Sequence, residues 1–153
     1  MEAMNDQNGE HFRLTADISR TNAEVLKTLL RSGDSPTVRE IVQRATALHA
    51  YAAELYAEGG GMLATSELGV VPVPLFDNPR EEDVLQNRVQ FAINLNKETA
   101  HTLESLGLQR DGSNTRVLDN VINLYSSVAT HRGAGHAIWA CHGDGSREEI
   151  PLP

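Results

Sequence analysis

The sequence predicts an α+β fold in which one unit, a strand, two helices and a small hairpin, is written twice along 153 residues. Three observations carry this. Two long segments, FRLTADISRTNAEVLKTLL from Phe12 and VQFAINLNKETAHTLESLG from Val89, align in pattern and continue to align downstream. Each opens with apolar residues at period two and passes to period three-four, the change that separates a strand from a helix. Each closes in a glycine-rich stop followed by a short β-prone stretch. The chain divides accordingly into a polar, disordered lead-in (residues 1–10), a first copy (11–76), a charged joint (77–88) and a second copy (89–153).

The elements follow in order. Leu14, Ala16 and Ile18 alternate with Arg13, Thr15 and Asp17, which marks a half-buried strand; Phe91, Ile93 and Leu95 alternate with Gln90, Ala92 and Asn94 in the second copy. Ser19 and Asn96 come next as helix caps, their side chains suited to accept from the first free helical N–H groups. Ala23, Leu26 and Leu29, matched by Ala100, Leu103 and Leu106, give the first helices an apolar stripe ending near Leu30 and Leu106. Gly33-Asp34 and Asp111-Gly112 break them, and Ser35-Pro36 and Ser113 start the second helices. Those run to about Ala57 and Thr130, with Ile41, Val42, Ala45 and Leu48 matching Val117, Leu118, Val121 and Leu124 after a one-residue length change. Gly59-Gly60-Gly61 and Gly133-Ala134-Gly135 stop them. Hairpins follow, with Pro72 and Pro74 marking an edge strand in the first and Gly143-Asp144-Gly145 a turn in the second. The alignment sets Met62 against His136.

A lone copy leaves a strand without a partner and a helix pair without enough core. Antiparallel pairing of the two equivalent strands about a pseudo-twofold axis, over four helices, satisfies both needs within one chain.

Composition narrows the function. A net charge of −8 runs against a broad basic surface, although affinity for a polyanion depends on local charge. No apolar run is long enough to cross a membrane, and the start of the chain is no secretory signal. A single cysteine, Cys141, fits a reducing cytoplasm. No nucleophile motif or phosphate loop is present, GGGM ending a helix rather than opening one, so the chain does not read as an enzyme. His131, His136, Cys141 and His142 match no zinc spacing, and neither a metal nor a cofactor is expected. Trp139 on its alternating strand reads as packing.

The segments LTADISRTNAEVLKTL with SPTVREIVQRATAL, and FAINLNKETAHTLESL with SNTRVLDNVINLY, resemble the ribbon-helix-helix family, to which the Arc and Met repressors belong. The resemblance covers about two-thirds of the chain and implies a tandem ribbon-helix-helix pseudo-dimer, an antiparallel two-stranded ribbon over four helices; the small β-hairpin that follows each copy, and the joint, lie outside it. It implies a sequence-specific DNA-binding regulator, a repressor, that reads double-stranded DNA in the major groove with the ribbon. The base-contacting positions would be Arg13, Thr15, Asp17, Gln90, Ala92 and Asn94. Phosphate contacts would come from Arg20 and Lys97 beyond the strands and from Ser35, Thr37, Ser113 and Thr115 at the second helix starts. Self-association on DNA would accompany this. Asp17 and Ala92 depart from a basic reader, and the competing expectation is a protein-interaction or antitoxin-like scaffold with little DNA affinity and a protein partner. Read without a ligand, the outward strand residues are a solvated face and the four Ser and Thr residues are ordinary helix caps.

Overall fold

The computed structural model describes residues 11–31, 37–74, 88–107 and 116–150. The lead-in at residues 1–10, residues 77–87 of the joint, both interhelical turns, and Ser35, Ser113 and Thr115 lie outside the described residues. The elements are β1 (His11–Ser19), α1 (Arg20–Arg31), α2 (Val38–Ala57), β2 (Gly61–Ser66), β3 (Gly69–Pro72), β4 (Arg88–Asn96), α3 (Lys97–Ser105), α4 (Arg116–Gly133), β5 (Ala137–Cys141) and β6 (Arg147–Glu149). The protein is α+β, with four helices and two antiparallel sheets among the described residues.

The first sheet is a two-stranded ribbon. β1 pairs antiparallel with β4 along its whole length, from His11 opposite Asn96 to Ser19 opposite Arg88. The strand β4 begins one residue earlier than the joint boundary expected from the sequence. Thr15 pairs with Ala92, its own counterpart in the alignment, and Leu14 with Ile93 mirrors Ala16 with Phe91. The register is therefore twofold about Thr15 and Ala92. Leu14, Ala16, Ile18 and Leu95 turn inward and are buried. With Leu26 of α1, Leu103 of α3 and the first halves of α2 and α4, they form one apolar core. The Phe91 side chain is outside the described set.

The second sheet joins the two hairpins. Its order is β3-β2-β5-β6, with β2 antiparallel to β5. Leu63 pairs with Trp139, Met62 with Ala140 and Ala64 with Ile138. Matched burial along the two strands aligns Met62 with Ile138 rather than with His136, so the sequence alignment is corrected by two residues there. The hydrogen bonds agree. Val73 N–H donates to the Met62 carbonyl at 2.9 Å, and Ile150 N–H donates to that of Ile138 at 2.8 Å. Gly60 N–H donates to the Leu55 carbonyl at 2.8 Å, and His136 N–H to that of His131 at 2.9 Å. Met62, Ala64, Ile138 and Ala140 pack on the second halves of α2 and α4, making a second core with Leu55, Leu124 and Val128. Two long helices thus carry a ribbon near one end and a hairpin sheet near the other.

Edge strand β3 is protected by Pro72. Val73 N–H points at β2, so Val71 and Gly69 do likewise and the outward positions fall on Val70 and Pro72. Pro72 has no N–H to offer, which removes a donor from the free edge. The opposite edge, β6, is charged along Arg147, Glu148 and Glu149. At the other end of the hairpin sheet, the close approach of two backbones requires glycine: a Cβ on Gly60 would run into the Cys141 carbonyl, and one on Gly143 into that of Glu58.

Candidate nucleic-acid interface

Period-two alternation puts Arg13, Thr15, Asp17, Gln90, Ala92 and Asn94 on the outer face of the ribbon, where all six are exposed. The register brings them together as three cross-strand pairs: Arg13 with Asn94, Thr15 with Ala92, and Asp17 with Gln90. Arg13 Nη1 donates to Asn94 Oδ1 at 3.4 Å, a long bond in solvent. Arg13 and Asp17 are the formal charges of this face and cancel. Arg20 and Lys97, the first residues of α1 and α3, are exposed at the two ends of the ribbon and add positive charge there.

Asn96 caps α3, its Oδ1 accepting from Thr99 N–H at 2.7 Å. Thr37 caps α2 in extended backbone, its Oγ1 accepting from Glu40 N–H at 3.1 Å. Thr37, Arg39, Glu40, Gln43 and Arg44 surround an open depression at that helix start. Arg44 Nη2 lies 3.4 Å from Glu40 Oε2, and Arg39 Nε donates to Gln43 Oε1 at 3.0 Å. The corresponding start of α4 is represented by Arg116 alone, since Ser113 and Thr115 fall outside the described residues.

One end of the ribbon carries a polar group that sequence reasoning missed. Asp119, on the first turn of α4, is 3% exposed. Its Oδ1 accepts from Ser19 N–H at 3.0 Å and from Asn22 Nδ2 at 2.7 Å. Its Oδ2 lies 3.0 Å from Arg88 Nη1. Arg88 Nη2 in turn donates to the Asp17 carbonyl at 2.8 Å, and Asn22 N–H donates to Ser19 Oγ at 3.1 Å. The signal was present: Asp119 interrupts the core positions Val117, Leu118, Val121 and Ile122, and Asn22 sits four residues before Leu26 on the buried stripe.

The chain matches no family model, no curated protein and no solved structure. Its functional reading therefore rests on its own geometry.

The histidines at the hairpin end divide into two places. His131 Nδ1 and His136 Nδ1 lie 3.0 Å apart, one donating and one accepting. His142 belongs to a different group, with Nε2 2.9 Å from Glu148 Oε1 and Nδ1 3.9 Å from Glu58. Tyr51 Oη donates to the same Glu148 oxygen at 3.3 Å. Among the described residues no three His, Cys, Asp or Glu side chains converge to hold a metal ion. The bond to Glu148 raises the His142 imidazole above its ordinary range, and the same bond lowers the Glu148 carboxyl. Trp139 is half-buried opposite Leu63 and donates through Nε1–H to Thr65 Oγ1 at 3.0 Å. No described helix is long and apolar enough to cross a membrane.

Proposed function

We propose that this protein is a tandem ribbon-helix-helix pseudo-dimer that binds DNA sequence-specifically and represses transcription. The observation that carries the reading is the outer face of the ribbon. Six exposed side chains stand in three cross-strand pairs on a two-stranded antiparallel element of nine residues a strand, held rigid from below by a packed core. An element of that width enters the major groove, where side chains meet a distinct donor and acceptor pattern at each base pair. Arg13 suits guanine, Gln90 and Asn94 suit adenine, and the methyls of Thr15 and Ala92 suit thymine. Asp17 suits a cytosine amino group. Arg20 and Lys97 flank the groove as phosphate contacts, and the first turn of α2 at Thr37 offers free N–H groups to a further phosphate.

A second reading has one observation in its favour. The charge of the outer face cancels, and the whole chain is acidic, so long-range attraction to DNA is weak. On that reading the ribbon and hairpins form a scaffold for a protein partner.

Selection from a random duplex library at low and moderate salt separates the two. An enriched motif whose binding weakens as salt rises supports the DNA reader. No enrichment, with no binding even at low salt, overturns it. The double variant Arg13→Ala with Asn94→Ala is expected to lose specific binding while keeping its melting temperature, since both side chains are exposed. Undiminished affinity in that variant removes the ribbon as the reader.

A further inference from the structure

The two ends of the ribbon are built differently. At the end where Ser19 faces Arg88, one buried carboxylate grips both strands. Asp119 Oδ1 holds β1 and the start of α1, through Ser19 N–H and Asn22 Nδ2, while Oδ2 holds β4 through Arg88. Arg88 also fixes the Asp17 carbonyl. Ser19 and Asn22 are buried with Asp119, so the bonds are made where water does not compete. At the other end the alignment puts Gln43 in the place of Asp119. Gln43 lines an open depression with Asn96 and Thr99, and its Oε1 accepts from Arg39 on its own helix. The Asn96 side chain is used locally, as the cap of α3.

We propose that Asp119 is a positioning residue for base specificity. It clamps the Asp17 and Gln90 end of the reading face to α4, so that this half is held in one geometry while the Arg13 and Asn94 half adjusts to its bases. The proposal rests on the ribbon reading DNA, and it assigns the two halves of the bound site unequal stringency. A side chain held at fixed position and angle rejects a wrong base because it cannot move to another partner, whereas a looser one re-pairs. The operator half beneath Asp17 and Gln90 is therefore the sharply defined one.

The test compares the full-length wild type with Asp119→Asn, which keeps the shape and the Oδ1 acceptor but sets an amide beside the Arg88 guanidinium. Arg88→Gln is the second variant should Asp119→Asn fail to fold: it removes the guanidinium's bonds to Asp119 and to the Asp17 carbonyl and leaves Asp119 bound to Ser19 and Asn22. Backbone amide exchange is read along both strands, and each protein is put through duplex selection. Exchange is expected to quicken roughly tenfold to a hundredfold at residues 17–19 and 88–90, the scale of one lost charge-assisted bond, and to stay unchanged at residues 11–13 and 94–96. The wild-type motif is expected to be sharper in one half, and the variant to lose definition in that half only. An evenly sharp wild-type motif, exchange that quickens along the whole ribbon or nowhere, or an even loss of affinity across the motif overturns the proposal. A wild-type chain that selects no duplex overturns the base-reading role together with the DNA reading itself. A wild-type motif left intact in the variant overturns the specificity role alone.

Discussion

Asp119 and His49 show how one buried polar residue sets local behaviour. His49 is 4% exposed on α2, and burial pushes its imidazole below the ordinary 6.5. The unfolded chain accepts a proton there that the folded state resists. Stability is whole above the unfolded value and is lost as pH falls from it toward the lowered folded value. His142 works in the opposite direction, because its raised value makes its contribution complete below 6.5 and lost as pH rises through the folded value. Glu148 adds a contribution present above its ordinary carboxylate value and lost as pH falls through the lowered one. In thermal melts, His49→Leu is expected to fall less than wild type between about pH 7.5 and 5.5, and His142→Gln to lose the decline on the alkaline side. An unchanged acid slope in His49→Leu counts against His49 as its source. At this scale the sequence was legible for alternation, since all six outward ribbon residues are exposed. For Asp119 and Asn22 it showed only polar interruptions of apolar stripes, and their partnership with each other and with Arg88 forms only when residues 31 to 100 positions apart in the chain meet.

Elements are governed by their ends. Thr37 satisfies an otherwise open N–H on α2, and Thr37→Ala is expected to cost about 1 kcal/mol, read as a lower melting temperature. Gly60→Ala is a harsher change, because the new methyl meets backbone rather than a yielding side chain. Its expected cost is about 1–3 kcal/mol, the range of an overpacked site, and a wild-type melting curve for that variant contradicts the close approach described. Pro72 tests the edge. Replacing it with threonine restores an outward N–H on β3 beside exposed Val70 and Val71, and sedimentation is expected to show concentration-dependent association absent from wild type. Helix and strand placement was largely legible, because periodicity and glycine stops are local signals. The offset of the second hairpin was not. The alignment set Met62 against His136, and only the matched burial and equivalent hydrogen bonds of the folded sheet make Ile138 the counterpart of Met62.

Over the whole molecule, the two cores depend on both copies. Each sheet draws strands from both halves, and each core draws on α2 and α4. Neither half closes its hydrogen bonds alone, so residues 1–76 and 77–153 expressed separately are expected to lack cooperative melting. Mixed, they are expected to regain helical signal with a midpoint that rises with concentration, since the joint otherwise supplies an effective concentration of about millimolar. Independent folding of either half contradicts this. The need for the two strands to pair was legible from the repeat. The merging of the hairpins into one sheet was not, because nothing local distinguishes a hairpin that lies on its own helices from one that joins its counterpart.

The pairs Thr15 with Ala92 and Leu63 with Trp139 lie where each half meets its own counterpart. In an assembly of two identical chains, a residue at such a point faces a copy of itself, and every change there is made twice. Two indoles at Leu63 and Trp139 would crowd one spot, and two leucines would leave the indole's volume empty. Joining the halves in one chain lifts that constraint, so a large ring can sit against a small aliphatic side chain and a threonine against an alanine. The midpoint of each sheet is thus the place where a linked pair can hold combinations closed to any symmetric one.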